Sequence, residues 1–421
     1  MTENGPSAEA PLPAELSEIV RRPSVRNLMI SRACGSSGAV ILAIAMGVLV
    51  FDITGSKADL GLVGLAEFLP TFLLVLWAGS LADRVDRRKM AALGYFAEGA
   101  VALTIGWYVT TEPTSIGLLL LLTAAYGVAR GFVNPASRAL PANVVPRHEL
   151  PRLIPALSMT WQISSFAAPL IASAVYGWSP SATFFALAAL DIVAGITIYS
   201  VKLHSEQVPS TERPNISAAF DGLRLVRRNP LLRAAIGLDL FAVLLGGVIA
   251  LAPAIVDELL GQPENTAFWM RSAGGLGAGV TAFALAMRPL RRKVGLRLLQ
   301  TVAVFGVLTI FVAFSRSLVL TLALFAGLAA ADMVSVFVRA TIVPLATPDS
   351  LRGRVVAVEA VFIGASNELG AAESGFTAEW FGLGPAIVVS GIATIVVVLV
   401  FAAWTPELRR LDNFDEIQES E

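Results

Sequence analysis

Arg32, Asp52, Glu67, Glu98, Arg130, Asp191, Asp239, Arg271, Asp332, Arg339, Glu359, Glu368 and Glu373 interrupt stretches that are otherwise apolar. A charge at the centre of a spanning helix costs at least about 2.5–3.5 kcal/mol. Each of these side chains must therefore face a cavity, find a partner or snorkel to an interface. A desolvated carboxylate is suited to taking up and releasing a proton. A guanidinium is suited to holding an anionic or catechol-bearing ligand through charge-assisted hydrogen bonds. For every one of them the competing use is a structural pair between helices. Enzyme chemistry finds no support. The chain has one cysteine, Cys34, and two histidines, His148 and His204, both in predicted loops. Metal-ligand spacing, a phosphate-binding loop and a plausible triad are all missing from the sequence. No catalytic residue, metal or cofactor is expected.

The elements that hold these charges read as membrane spans. Of 421 residues, 55% are hydrophobic and 15% charged, with a mean hydropathy of +0.71. A soluble domain carries about 25% charged residues. A span needs about 20 mainly apolar residues. Twelve are predicted, near 28–51, 61–82, 90–110, 114–135, 154–177, 181–201, 231–255, 265–288, 297–315, 318–341, 355–377 and 383–404. The fold class is thus an all-α polytopic membrane protein. Residues 1–26 read as a disordered tail without signal-peptide order. They are followed by a bundle over 27–201, a linker over 202–230, a second bundle over 231–404 and an acidic tail over 405–421. In the linker, Phe220, Leu223 and Val226 recur at helical spacing beside Arg224, Arg227 and Arg228. That pattern predicts an interfacial amphipathic helix. The net charge of −1 suggests no nucleic-acid partner.

Lys and Arg set the orientation. Arg21, Arg22, Arg26, the cluster at 84–89, Arg147, Arg152, Arg291, Arg292 and Lys293 all fall on one side, and the opposite loops offer Lys57 and Arg316. Both termini are therefore expected in the cytoplasm, with the chain in the inner (plasma) membrane. At 1.5 Å per residue, Asp239 lies about 13 Å into the seventh span, near the midplane. Glu368 is near the middle of the eleventh. Arg32 and Asp332 lie nearer the cytoplasmic ends, and Asp52 near the opposite mouth.

Residues 79–89 read Gly-Ser-Leu-Ala-Asp-Arg-Val-Asp-Arg-Arg-Lys, between the second and third spans. Gly79 permits close approach of backbones, Asp83 ends the apolar run, and Arg84, Arg87, Arg88 and Lys89 make a basic turn. The pattern resembles the signature of the major facilitator superfamily, with Asp86 where that superfamily often has glycine. The two halves also repeat: 138–177 and 339–382 share a proline-marked join, and 287–295 keeps the basic cluster without the acid. The phrases Thr54–Pro70, Leu238–Gly247 and Phe362–Gly375 resemble the enterobactin-exporter group of that superfamily.

The resemblance implies twelve helices in two six-helix pseudo-repeats, with spans one, four, seven and ten lining a central cavity. That makes Arg32, Asp52, Arg130, Asp239 and Asp332 pathway candidates. As a proton carrier Asp239 is the best placed, with Asp52 and Glu368 behind it. Phe241, Trp269 and Trp161 are candidates to stack on a ring. It further implies that Asp83 pairs with the start of span eleven and closes the cytoplasmic side. The activity implied is proton-coupled export of a small organic molecule, a siderophore foremost, by alternating access. The alternative is a broad-specificity multidrug exporter. The expected partners are that substrate, protons and the lipid bilayer, and nothing demands more than a monomer.

Overall fold

The computed structural model describes residues 16–204, 216–349 and 351–418, with the side chains of 75, 76, 216–220 and 418 set aside. Twelve long helices run through these residues. The first six are α1 (Pro23–Thr54), α2 (Lys57–Ala82), α3 (Arg87–Val109), α4 (Gly117–Ala139), α5 (Leu150–Trp178) and α6 (Pro180–Tyr199). The second six are α7 (Pro230–Leu244), α8 (Ala267–Met287), α9 (Val294–Phe314), α10 (Leu318–Leu345), α11 (Arg352–Phe381) and α12 (Leu383–Trp404). Among the described residues, nine are long and apolar enough to cross a membrane. Local chemistry sets the starts. Proline opens α1, α6 and α7, where its missing N–H has no partner to lose. Ser56, Asp86, Ser179 and Asn229 cap α2, α3, α6 and α7 with side-chain oxygens.

The halves repeat in packing as well as in sequence. In the first, α3 lies on α6 and α2 on α4; in the second, α9 lies on α12 and α8 on α10. The halves meet where α2 crosses α11 and α5 crosses α8. Small residues allow both crossings. A Cβ added to Gly61 would lie 2.6 Å from Ala372 Cα, and one on Gly375 2.6 Å from the Lys57 carbonyl. One on Gly275 would lie 2.6 Å from the Ser165 carbonyl. Absent side chains are what let such helices touch. Hydrogen bonds reinforce the seal. Lys57 N–H donates to Glu379 at 2.8 Å, Ser173 to the Asn265 carbonyl at 2.9 Å, and Trp269 Nε1 to Ser173 at 2.8 Å. Lys57 also pairs with Glu258 at 2.6 Å. These contacts lie at the end opposite the basic turn at 84–89. Near that turn Gly79 has nothing within 4 Å of an added Cβ, so the close approach expected from its sequence is not made here. The close approaches between the halves are thus concentrated at the end opposite the basic turn.

Four segments differ from the sequence reading. The first regular part of the seventh span stops at Leu244 rather than running to 255. Gly246 and Gly247 break it, because Gly247 abuts the Gly370 carbonyl and any side chain there would collide. A π-turn at Ile255–Leu260 completes the crossing. The tail expected over 1–26 lies outside the described residues up to 15, but Leu16–Arg21 is helical with Ile19 fully buried. Linker residues 205–215 are outside the described set, while Ile216–Arg228 is helical. That helix packs against α11 and α7. Val226 is 5% exposed, Gly222 meets the Arg354 backbone, and Asp221 pairs with Arg354 at 3.0 Å. The C-terminal segment docks too, with the Asp412 side chain and carbonyl accepting from Lys293 and Val294 N–H at 3.1 Å. It supplies the acid that 287–295 lacks.

The N-terminal helix is held by Arg22, which forks onto Glu149 at 2.6 and 2.8 Å. That hydrogen bond, ahead of the opposing burial, holds Glu149 below its ordinary carboxylate value. A depressed carboxylate adds stability above its unfolded value, and loses it as pH falls through the folded one. Glu149→Gln is therefore expected to speed hydrogen exchange across 16–25 at neutral pH and to remove the acid sensitivity of that exchange. Protection equal to wild type would count against the clamp.

Candidate transport site

Each half buries one arginine between two carboxylates. In the first half Arg130 of α4 stands 3.7 Å from Glu67 of α2 and 3.8 Å from Glu98 of α3. Glu98 is fully buried, and neither of its oxygens has a hydrogen-bond partner among the described residues. Tyr126, one helical turn before Arg130 on the same face, donates to Asp191 of α6 at 3.2 Å. Asp191 in turn lies against Gly38 of α1, where an added Cβ would be 2.6 Å from Oδ1. In the second half Arg339 of α10 bonds Asp239 of α7 at 2.8 Å and reaches Glu359 of α11 at 3.8 Å. Asp239 is 5% exposed and Arg339 3%.

Between these two clusters lies the interface of the halves. Glu368 of α11 packs over Gly64 of α2, 2.6 Å from an added Cβ. It is within electrostatic reach of Glu67 across the interface and of Arg271 on α8. The order Asp191, Tyr126, Glu98, Arg130, Glu67, Glu368, Arg271 thus carries ionisable groups from the first half into the second. Glu368 lies one helical turn from the Gly61–Ala372 crossing, on its basic side.

The expected residues fall into three groups. Arg130 and Glu368 join the chain just described. Asp239 and Asp332 line a small cavity within the second half, between α7, α9 and α10, with Thr301 and Ser335. Asp239 therefore faces the interior of its own bundle, and Arg339 is the reason, since a buried carboxylate is held by its partner. Arg32 and Asp52 stand apart. Among the described residues no ion pair reaches Arg32, and Asp52 is exposed at the end of α1. Of the aromatic residues, Trp269 is committed to the seal through Ser173, and Phe241 faces Phe401 at 6.4 Å. Trp161 is 40% exposed. Glu98, Asp191, Arg339 and Glu359, outside the pathway candidates read from the sequence, are drawn into these two clusters. The face shared by Tyr126 and Arg130 is a usable signal, but nothing in the chain announces Asp239 with Arg339.

At the basic turn, Asp83 is 57% exposed and pairs with Arg87 of its own turn at 3.0 Å. Among the described residues no hydrogen bond or ion pair joins Asp83 to the start of α11, the contact that the resemblance implies. Arg87 also donates to Asn143 at 2.9 Å, and Arg88 to the Val201 carbonyl at 2.9 Å. Asp86, the departure from the pattern, caps α3 and holds Arg88 at 2.7 Å. That Arg88 hydrogen bond, its largest influence, keeps the Asp86 carboxyl below its ordinary value. Asp83→Asn is expected to shift the balance of the two end states by about 1–2 kcal/mol, depopulating one roughly tenfold, with substrate affinity little changed. Labelling of single cysteines from either side, in a Cys34→Ser background, reads this ratio. An unaltered ratio counts against gating.

The profile of the transmembrane secretion effector family matches residues 17–420. Macrolide efflux protein A of Streptococcus pyogenes is 27% identical over 217 residues, and the match spans 50% of this chain but only about half, 51%, of that relative. Enterobactin exporter EntS of Citrobacter koseri is 25% identical over 94% of this chain and 95% of its own length. Among solved structures, a bacterial homologue of the human lysosomal transporter Spinster, inward-facing and unoccupied, superposes with a TM-score of 0.71. It shares 14% identity over 92% of this chain and 96% of that one, which speaks to the fold alone.

Proposed function

Because this chain belongs to the transmembrane secretion effector family of the major facilitator superfamily, we propose that it is a proton-coupled exporter in the cytoplasmic membrane. Its termini face the cytoplasm, and it moves a small organic molecule, a siderophore foremost, to the periplasm or exterior. The observation that carries this reading is the Asp239–Arg339–Glu359 cluster. Two carboxylates compete there for one guanidinium, so a proton on one is exchanged against an ion pair on the other. The steep Lys and Arg asymmetry supports the orientation. With that orientation the close α2–α11 and α5–α8 contacts lie toward the outer face. Alternating access then requires the α2–α11 and α5–α8 crossings to part while the basic ends close.

Similarity to an enterobactin exporter supports the siderophore. Similarity to a macrolide efflux protein, and over 91% of this chain to a multidrug efflux pump, supports a second reading, drug efflux. Everted vesicles separate the two. Accumulation of a catecholate siderophore driven by ATP-generated acidification, abolished by a protonophore, is the expected result. Accumulation of macrolides or lipophilic dyes without the siderophore replaces it with the drug reading, and accumulation of neither sinks both. Iron-limited growth of a deletion strain gives the same division: siderophore retained inside the cell, against raised drug sensitivity alone.

A further inference from the structure

In the second half, α8 and α9 each pack on α10 but scarcely on one another. The cleft between them is a groove of about 480 Å³, floored by Gly327 and Ala330 of α10. Its α9 wall is one stripe of residues, Arg297, Gln300, Thr301, Val304 and Leu308, at the three- and four-residue spacing of a single helix face. The stripe starts near the basic turn 288–293 and runs into the bilayer. At 1.5 Å per residue it covers roughly 16 Å, about half of the ~30 Å hydrocarbon thickness. The groove therefore has the reach of one leaflet.

The first half fills the equivalent place. In the repeated segments Arg130 precedes Arg138 by the same interval as Ala331 precedes Arg339. Between α2, α3 and α4 that position carries the guanidinium that Glu67 and Glu98 surround. Between α8, α9 and α10 it carries only a methyl group, and space is left. Gly327 keeps the inner end clear, since an added Cβ there would lie 3.1 Å from Leu308.

The chemistry changes along the groove. Its inner length is apolar, with Val304 48% exposed. Its mouth is basic. Arg288, Arg291, Arg292 and Arg297 are exposed, and among the described residues no ion pair reaches any of them. The C-terminal segment brings acids to the start of α9, but these are engaged: the Asp412 carboxylate accepts from Lys293 N–H, and Glu416 from Asp412 N–H and Asn413. An apolar slot beneath unpaired guanidinium groups is complementary to an acyl chain that carries an anionic headgroup.

We propose that this groove binds an anionic phospholipid, with its phosphate on Arg297 and Gln300 and one acyl chain laid along Val304 and Leu308 to Gly327. The site does not depend on what is exported. Only the naming of its leaflet as the cytoplasmic one rests on the orientation proposed above. Thr301 and Ala331 also line the cavity of Asp239 and Asp332, so neither is varied in the test.

That test is native mass spectrometry of detergent-purified protein titrated with phosphatidylglycerol, and separately with phosphatidylcholine of the same chains. The expected result is one saturable phosphatidylglycerol, held more tightly than any phosphatidylcholine. Arg297→Gln is expected to weaken it about fivefold, the contribution of one basic side chain near a membrane surface. Ala330→Leu, which fills the floor, is expected to remove it. Arg26→Gln, an exposed arginine near the start of α1, is expected to leave it unchanged. Equal binding of phosphatidylcholine, or equal weakening by Arg26→Gln and Arg297→Gln, reduces the groove to ordinary boundary lipid and overturns the proposal. So does wild-type affinity in Arg297→Gln or in Ala330→Leu. A dimer that Ala330→Leu abolishes, with no lipid held, assigns the groove to a second copy of the chain instead. No substrate, gradient or sidedness enters the measurement, so failure of the exporter reading leaves it standing.

Discussion

Asp239→Asn is expected to abolish gradient-driven efflux while expression, insertion and thermal stability stay near wild type. Asparagine keeps the volume and a hydrogen bond to Arg339, whose Nη2 now lies 2.8 Å from the carboxylate. It cannot carry a proton. Arg339 keeps Glu359 at 3.8 Å, so no buried charge is orphaned, which is why the fold should survive. Counterflow of labelled against unlabelled substrate needs no net proton movement and should continue. The measurement is flux in reconstituted vesicles with and without an imposed pH gradient. Wild-type coupling in the mutant removes Asp239 from the mechanism. Loss of both coupled flux and counterflow assigns it to substrate binding instead.

The second large effect is on stability. Arg130→Leu removes the cation that stands 3.8 Å from the fully buried Glu98. Breaking a buried pair from one side costs about 3–5 kcal/mol, against a total of roughly 5–15 kcal/mol for a typical domain. The expected outcome is poor yield and early aggregation on size-exclusion chromatography. Removing both charges in Arg130→Leu/Glu98→Leu should restore much of the loss, because apolar replacement of a whole buried pair is often neutral. The double variant should nevertheless transport poorly, since the order of ionisable groups from Asp191 to Arg271 is then cut in two places. A double variant as unstable as the single one would show that Arg130 acts by packing rather than by charge.

The two experiments divide the buried ionisable groups by use. Asp239 has a neutral isostere that leaves its surroundings satisfied, so a loss there is a loss of proton traffic. Arg130 has none, and its removal exposes the desolvation cost directly.

Much of this protein is legible in its residues taken in order. Runs of apolar residues foreshadow the twelve long helices, nine of them, among the described residues, long and apolar enough to cross a membrane. Residues 79–89 and the Lys and Arg asymmetry point to the superfamily and to an orientation, since both are properties of short runs of chain. The intramembrane charges are visible for the same reason: a Glu at position 98 is anomalous whatever surrounds it. Which charges meet is a different matter. Asp239 and Arg339 are a hundred residues apart, and Arg22 and Glu149 are separated by 127. Pairings at that range depend on helix rotation and crossing angle, which no local pattern encodes. The break at Gly246–Gly247 is equally hidden, because its cause is the backbone of Gly370 on another helix. Nor does composition say at which end the halves meet. That is decided by where Gly61, Gly275 and Gly375 let the halves touch, a matter of contact between surfaces rather than of residue type along the chain.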